Sequence, residues 1–212
     1  MRAQARHVDL LQRRALLPVC GAALGLWPLA SALAQSTPAL APAPDHDRIA
    51  ALLRAGAVVL ALRHANAPGT FDPPEFDLTR CATQRNLDDA GRAESARLGA
   101  WFRARALTPA AVRSSPWCRC MDTARGAFGS AQAWSALGSP RPLDPEQRNH
   151  HLTELRQALA AASTQRGRFE VWVTHNFVLQ ALAGEPVAQA QALLLRAGPD
   201  GAVQVLARAA LA

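Results

Sequence analysis

The chain contains no lysine, and its 23 basic residues, all arginine, form no basic run and are not interleaved with aromatic side chains. Nucleic-acid-binding proteins usually carry such a run or patch, so its absence argues against a nucleic-acid partner. The formal net charge is +7, of which the first 34 residues contribute +3. The modest +4 that remains suits small anionic substrates.

Long apolar runs are also scarce, and the N-terminal one, from Ala15 to about Leu29, is short for a membrane span. It follows Arg13-Arg14 and precedes Ala32-Leu33-Ala34, a small-residue pattern typical of a signal-peptidase site. We therefore predict a signal peptide over residues 1–34, with cleavage before Gln35. The arginine pair also permits twin-arginine export. The expected location is periplasmic or secreted, without stable membrane insertion after cleavage.

The rest of the chain divides into a short tether and one domain. Residues 35–44 are rich in Ser, Thr, Pro and Ala, a composition that predicts a disordered tether. Residues 45–212 are long enough and apolar enough to form one compact domain with a sizeable core.

Helical and strand patterns alternate along this domain. Such alternation predicts a three-layer α/β/α sandwich around a mostly parallel sheet. The predicted helices lie near 45–54, 88–106, 116–134, 151–163 and 177–183, and the predicted strands lie at 57–62, 111–114, 169–174 and 203–207.

Two histidines follow the two most apolar strand patterns. Arg63-His64 follows the run 57–62, and His175 follows the run 169–174. A strand that is buried on both faces of a sheet has a nearly continuous apolar sequence. Ligands of open α/β sheets bind at the carboxyl ends of the strands. We therefore expect both histidines at one ligand-binding edge.

A third segment points to the same edge. The strand 111–114 leads into Ser115-Pro116, where Ser115 suits a helix N-cap and Pro116 the first helical position. Arg119 then lies about one turn into the helix. The start of that helix is expected to offer free amides and a positive dipole end to an anion.

Three segments resemble, in the same order, the signature segments of the histidine phosphatase superfamily, the phosphoglycerate-mutase-like enzymes. They are LRHANAPG, VRSSPWCRCMDTA and VTHNF, and the resemblance covers roughly residues 56–208. More narrowly, RCATQRNLDDAGRAESARLG followed by SSPWCRCMDTA resembles a group of exported bacterial histidine phosphatases.

The resemblance implies a role for each matching residue. His64 would attack phosphorus and become a phosphohistidine, while Arg63, Arg119 and His175 would hold the phosphoryl oxygens. Phosphoryl transfer depends mostly on positioning and charge stabilisation, and guanidinium groups bind phosphate bidentately. The expected activity is hydrolysis of a small phosphorylated substrate, with no metal or other cofactor.

Further predictions concern the surroundings of His64. Nearby arginines disfavour its protonation, and a carbonyl of the turn 65–70 is expected to fix its tautomer. Asn66 and Arg85 are candidate substrate-binding residues, although Arg85 could equally be a surface arginine. Arg113 is expected to pair with an acidic side chain.

The proton donor for the leaving group stays open. Relatives often supply a glutamate from the segment after the Arg119 helix, which makes Asp144 and Glu146 candidates, and Asp72 or Glu75 are others. Relatives that cleave phosphohistidine use no dedicated acid. The exported group also tends to carry a Gly-Glu pair that corresponds here to Ala190-Gln191, which puts activity on ordinary phosphomonoesters in doubt.

Cysteine, histidine and tryptophan give three smaller predictions. In an oxidising compartment Cys81 would pair with either Cys118 or Cys120, pinning the preceding loop to the phosphate-binding helix. His150-His151 forms no metal site, since adjacent side chains point apart and no third ligand is suitably spaced. The tryptophans are expected in the core: Trp101, Trp117 and Trp134.

Three rival functions remain. A phosphomutase or phosphotransferase of the same fold would hold an acceptor against water. Acyl hydrolysis by Ser114 or Ser115 would require a nucleophile elbow, which the sequence lacks. A non-catalytic phosphate-binding module would keep the arginines without turnover.

Overall fold

A computed structural model describes residues 46–212 of the chain. The predicted signal peptide, 1–34, and the predicted tether, 35–44, lie outside the described residues. Within residues 46–212, no helix combines the length and apolar character needed to cross a membrane.

One six-stranded sheet organises the domain. Its strands are β1 (Val58–Arg63), β2 (Ala111–Ser114), β3 (Gln132–Ala133), β4 (Phe169–Thr174), β5 (Gln191–Ala197) and β6 (Val203–Ala210). Their order across the sheet is β3-β2-β4-β1-β5-β6. The first four strands in that order are parallel to one another, whereas β5 is antiparallel to both β1 and β6. The sheet is therefore mixed with a parallel majority.

Helices cover both faces of the sheet, as the sequence predicts. The helices are α1 (His46–Ala55), α2 (Asp89–Ala104), α3 (Cys118–Phe128), α4 (Pro145–Ala162) and α5 (Asn176–Ala183). Along β1, alternate residues enter two separate cores: Leu60 packs into a core with residues of α1, α2 and α3, and Ala61 packs into a core with residues of α4 and α5. Successive strand residues face opposite sides, so β1 is buried on both faces.

Two helix boundaries differ from the prediction by six residues each. The helix predicted to reach residue 134 ends at Phe128, because Gly129 adopts φ 82° and closes it, and a short strand follows. The helix predicted from residue 151 begins six residues earlier, at Pro145. Asp144 caps it by accepting a hydrogen bond from the Gln147 amide, and Pro145 fills the first helical position. That capping signal is legible in the sequence.

The strand β5 was not predicted. Its sequence, QALLLRA, lacks β-branched residues and fits a helix as well as a strand. Pairing with β1 on one side and β6 on the other makes it a strand, and Leu193, Leu194 and Leu195 are almost completely buried there. Tertiary packing here overrides local propensity.

Candidate active site

The parallel pairing of β1 with β4 brings the two histidines together. Arg63 lies opposite Thr174, and the next backbone amide, that of His64, donates a hydrogen bond to the Thr174 carbonyl at 3.0 Å. His64 and His175 therefore leave the sheet side by side, with ring centroids 5.6 Å apart. Both are buried, with exposed fractions of 2% and 4%.

A backbone carbonyl fixes the tautomer of His64. Its Nδ1 lies 2.8 Å from the carbonyl oxygen of Ala65, within the turn that the sequence indicated. A carbonyl can only accept, so Nδ1 carries the proton. In the neutral ring the lone pair is then on Nε2, which makes Nε2 the nucleophilic nitrogen.

The surroundings of His64 keep its ring neutral. Burial is the largest cause, and the charges of Arg119, Arg63 and Arg85 act in the same direction. Together they lower its pKa from 6.5 to about 3, against the opposing effect of the hydrogen bond to Ala65. The ring therefore keeps its lone pair throughout the neutral pH range.

His175 is held by a second set of contacts. Its Nε2 lies 2.8 Å from the Ser115 hydroxyl oxygen, and its Nδ1 lies 3.4 Å from Nη2 of Arg119. Since a guanidinium only donates, Nδ1 is the acceptor and Nε2–H donates to Ser115. Burial, followed by the charges of Arg119 and His64, lowers the pKa of His175 well below its usual value.

Arg119 reaches the histidines from α3, where it is the second residue of the helix. Its Nη1 donates to Oδ1 of Asp72 at 2.8 Å, in an ion pair whose side chains are both largely buried. The Trp117 indole donates to the other carboxylate oxygen at 3.1 Å. Burial raises the pKa of Asp72, but hydrogen bonds from the Arg85 amide, Arg119 and Trp117 outweigh it, so its pKa is lowered. Asp72 therefore remains a carboxylate.

Two further arginines line the same space. Arg63 donates to the Val187 carbonyl at 2.9 Å, and Arg85 donates to the carbonyls of Ala67 and Gly69. The backbone thereby fixes the direction of both side chains. Each of Arg63, Arg85 and Arg119 also keeps a buried Nε–H group without an acceptor. Buried hydrogen-bond donors are rarely left unpaired, so these three unpaired Nε–H groups indicate that donors outnumber acceptors in this space.

These residues surround a cavity of about 490 Å³. Its lining carries four guanidiniums, Arg63, Arg85, Arg119 and Arg141, and among the described residues Asp72 is its one carboxylate. The floor is polar, whereas the outer part is aromatic: Phe71 and Phe177 are 54% and 44% exposed. Arg141 stacks on Phe71, with its guanidinium carbon 3.8 Å from the ring centroid. The arrangement suits an anion bound at the base of an aromatic-walled cavity.

Several sequence-predicted site residues lie elsewhere. The Asn66 side chain donates to Asp88 at 2.8 Å, and Asn66 does not line the cavity. Asp144 caps α4, and Glu146 is exposed on the first turn of that helix. Glu75 is exposed and also outside the lining. Of the proposed acids only Asp72 lies in the cavity, and it is an ion-paired carboxylate.

The start of α3 differs from its predicted form. Trp117, not Ser115, is the capping residue, and the helix begins at Cys118 rather than Pro116. The Cys118 amide donates to the Gln84 side chain at 3.0 Å, and the Trp117 amide donates to the Ser115 hydroxyl at 3.3 Å. These two amides are already paired within the protein, so the positive groups that line the cavity are side-chain guanidiniums.

A disulfide joins Cys81 to Cys118, which is one of the two predicted pairings. Cys120 is free and buried, with its sulfur 3.6 Å from Nε2 of His175, and burial raises the pKa of its thiol to about 12. The disulfide fastens the loop that carries Asp72 and Arg85 to the helix that carries Arg119.

Some cavity residues were missed at the sequence level. Trp117 was expected in the core; it is buried, but its ring also packs edge-on against His175, with centroids 5.3 Å apart. Ser139 and Arg141 also line the cavity, and no local pattern marks them because they follow no strand. Phe177, the last residue of the segment VTHNF, lines it as well. Arg113 forms the expected acidic pair, with Glu170 at 3.4 Å.

Comparison with known proteins gives the fold. No protein-family model matches the chain, and no curated protein matches it either. Among solved structures, the open reading frame Rv3214 of Mycobacterium tuberculosis matches with a TM-score of 0.52 and 16% identity, over 70% of this chain and 94% of that chain.

Two phosphatases match in the same way. The mycobacterial glucosyl-3-phosphoglycerate phosphatase in complex with VO3 has a TM-score of 0.52 and 15% identity, covering 71% of this chain and 97% of that chain. The protein histidine phosphatase SixA, complexed with tungstate, has a TM-score of 0.50 and 17% identity, covering 71% of this chain and 95% of that chain. The domain has the histidine phosphatase fold. The predicted phosphoglycerate-mutase-like architecture is thereby confirmed.

Proposed function

We propose that this protein is an exported phosphatase that hydrolyses a small phosphorylated substrate through a phosphohistidine on His64. The observation that carries the proposal is the grouping of Arg63, His64, Arg119 and His175, called the cradle below, at the base of one cavity. Solved phosphatases of the same fold, described with the oxyanions tungstate and VO3, add support.

The reaction would proceed in two steps. The Nε2 lone pair of His64 attacks phosphorus, and the bond to the leaving group breaks with its electron pair passing to that group. Water then attacks the phosphohistidine, the P–N bond breaks, the lone pair returns to Nε2, and both protons of the water leave with the phosphate. Arg63 and Arg119 would stabilise the oxygens in both steps, while His175, which accepts from Arg119 and donates to Ser115, would hold the Arg119 guanidinium in position. Dividing the reaction lowers each barrier. No step needs a metal ion.

The state of Asp72 supports a preference among leaving groups. Because it is held as a carboxylate, it has no proton to give. The proposed substrates therefore have weakly basic leaving groups, such as aryl phosphates, acyl phosphates or phosphorylated imidazole. The fold neighbour described as a protein histidine phosphatase is compatible with this preference.

The primary test is hydrolysis of para-nitrophenyl phosphate by the purified protein in the presence of a chelator. We expect turnover in the native protein and a loss of at least about 10³-fold in kcat in His64→Ala. His150→Ala is the matched control, because His150 is exposed on α4 and outside the cavity. Acid-quenched and base-quenched samples should show a base-stable, acid-labile phosphoryl adduct only when His64 is present.

A leaving-group series tests the absence of an acid. Rates of phosphohistidine formation on aryl phosphates should fall steeply as the pKa of the phenol rises, since no proton neutralises the departing oxygen. A flat dependence would contradict this part of the proposal.

The rival functions predict other results. A phosphotransferase would transfer the phosphoryl group to an added alcohol much faster than to water. A binding module would bind phosphate without turning over any phosphoester. Either result would replace the hydrolase proposal.

A further inference from the structure

A second cavity lies beside the first. Its volume is about 370 Å³, and it is enclosed by the loop 136–143, the first turns of α4 and the face of α5. Arg148, Asn149 and His151 contribute polar groups, but most of the lining is apolar. The principal apolar side chains are Ala136, Leu143, Leu152, Leu155, Val178 and Ala181.

One short segment separates the two cavities. Ser139, Arg141 and Pro142 line the cavity that contains His64. Gly138, Pro140 and Leu143 of the same segment line the second cavity. Phe177 lines both cavities, and its large aromatic side chain is 44% exposed.

We propose that the second cavity binds an apolar extension of the substrate's leaving group, which reaches it across Phe177. This inference rests on the proposed function and specifies its substrate class: a phosphoryl compound whose weakly basic leaving group carries an alkyl chain or an apolar ring. The cradle supplies the positive charge for the phosphoryl group, and the second cavity supplies apolar area. Its volume lies in the range of small-ligand pockets.

A series of 4-alkylphenyl phosphates isolates this effect. Phenyl, 4-butylphenyl and 4-octylphenyl phosphates have phenols of nearly the same basicity, so only the apolar length changes. Each buried methylene contributes about 0.8 kcal/mol, which corresponds to about fourfold in binding. We expect kcat/KM to rise by about tenfold to a hundredfold from the phenyl to the butylphenyl compound, measured below the concentration at which the compounds aggregate.

A matched pair of variants locates the effect. Ala181 is exposed on α5 and lines the second cavity, so Ala181→Trp should fill it. Gln180 is the adjacent exposed residue and lines neither cavity, so Gln180→Trp is the control. The ratio of kcat/KM between octylphenyl and phenyl phosphate should collapse toward one in Ala181→Trp and persist in Gln180→Trp.

The outcomes separate this inference from the proposed function. Turnover of phenyl phosphate that needs His64 but does not vary with chain length would overturn the inference alone. The inference would also be overturned if the Ala181→Trp variant kept the rise in kcat/KM with alkyl length. It would be overturned as well if that variant changed only the oligomeric state measured by sedimentation. If no phosphate ester is hydrolysed, the proposed function fails, and calorimetry with 4-alkylbenzylphosphonates still decides whether affinity rises with chain length and falls in Ala181→Trp.

Discussion

The cradle and the rest of the cavity wall are built differently. His64 and His175 directly follow paired residues of two central strands, and their rings are almost completely buried. Most of the remaining wall comes from the loop segments 70–76 and 139–142, called the outer wall below, where Phe71 and Arg141 are exposed. Groups that must meet a phosphoryl group within a fraction of an ångström belong on rigid elements, whereas groups that select a substrate can lie on loops.

The largest expected contrast separates Arg119 from Arg141. Arg119→Lys should lower kcat/KM on para-nitrophenyl phosphate by about 10²- to 10³-fold, because lysine cannot present the same planar pair of donors to the phosphoryl oxygens and to Asp72. Arg141→Lys should lower it by no more than about fivefold, since exposed charge pairs contribute about 1 kcal/mol or less. Circular dichroism would verify folding of both. Equal losses would show that the outer wall takes part in the chemistry.

The disulfide tests how firmly the outer wall must be held. The double variant Cys81→Ala/Cys118→Ala removes the disulfide, which joins residues 37 positions apart. Loss of this cross-link should lower the free energy of unfolding by about 3 to 4 kcal/mol. KM should also rise, because Asp72 and Arg85 lie on the loop that is released. Urea denaturation and steady-state kinetics measure the two effects. A reductant should weaken the native protein in the same way and leave the double variant unchanged.

Lowering the pH should destabilise the fold through the two buried histidines of the cradle. The pKa of His64 falls from 6.5 to about 3 on folding, so between these values the unfolded chain binds more protons and stability decreases as pH falls. At pH 5 the loss from His64 is about 2 kcal/mol relative to pH 7, and His175 adds to it in the same direction. Urea denaturation from pH 7.5 to 4.5 should show a shallower slope in His64→Gln than in the native protein. His150→Gln should leave the slope unchanged.

The smallest expected effect concerns the backbone next to His64. Ala190 adopts φ 58°, a left-handed conformation, while its amide donates to the His64 carbonyl at 3.2 Å. A residue with a Cβ is strained there, so Ala190→Gly should raise the free energy of unfolding by about 1 kcal/mol. Thermal unfolding measures the gain. Ala188→Gly, at an exposed residue of the same segment that does not have positive φ, should give no gain.

Much of the cradle could be predicted because its signals are local. Arg63-His64 follows a continuous apolar run and His175 follows a predominantly apolar one, and such runs identify buried strands without knowledge of their neighbours. The order of the signature segments then predicted the fold. The expectation that a carbonyl of the turn 65–70 fixes the tautomer of His64 is confirmed by the Ala65 carbonyl, whereas the structure alone shows that Nδ1 is the nitrogen it holds.

The acid candidates could not be ranked in this way. The segment that contains Asp144 and Glu146 corresponds to one that carries the acid in relatives. In the structure Asp144 caps α4 and Glu146 lies in its first turn, so helix geometry directs their carboxylates. Asp72 was one of four open candidates. Its contact with Arg119 joins residues 47 positions apart, and no spacing rule connects them.

The sequence by itself determined the ends of β1 and β4, because burial on both faces leaves a predominantly apolar run, and the resemblance in its signature segments indicated the cradle residues. The tertiary structure decided that β5 is a strand, that Cys118 rather than Cys120 pairs with Cys81, and that Asp72 is bound to Arg119 as a carboxylate. It also decided that one loop divides a charged cavity from an apolar one. Each of these depends on which distant segments pack together, and packing is a property of the whole domain.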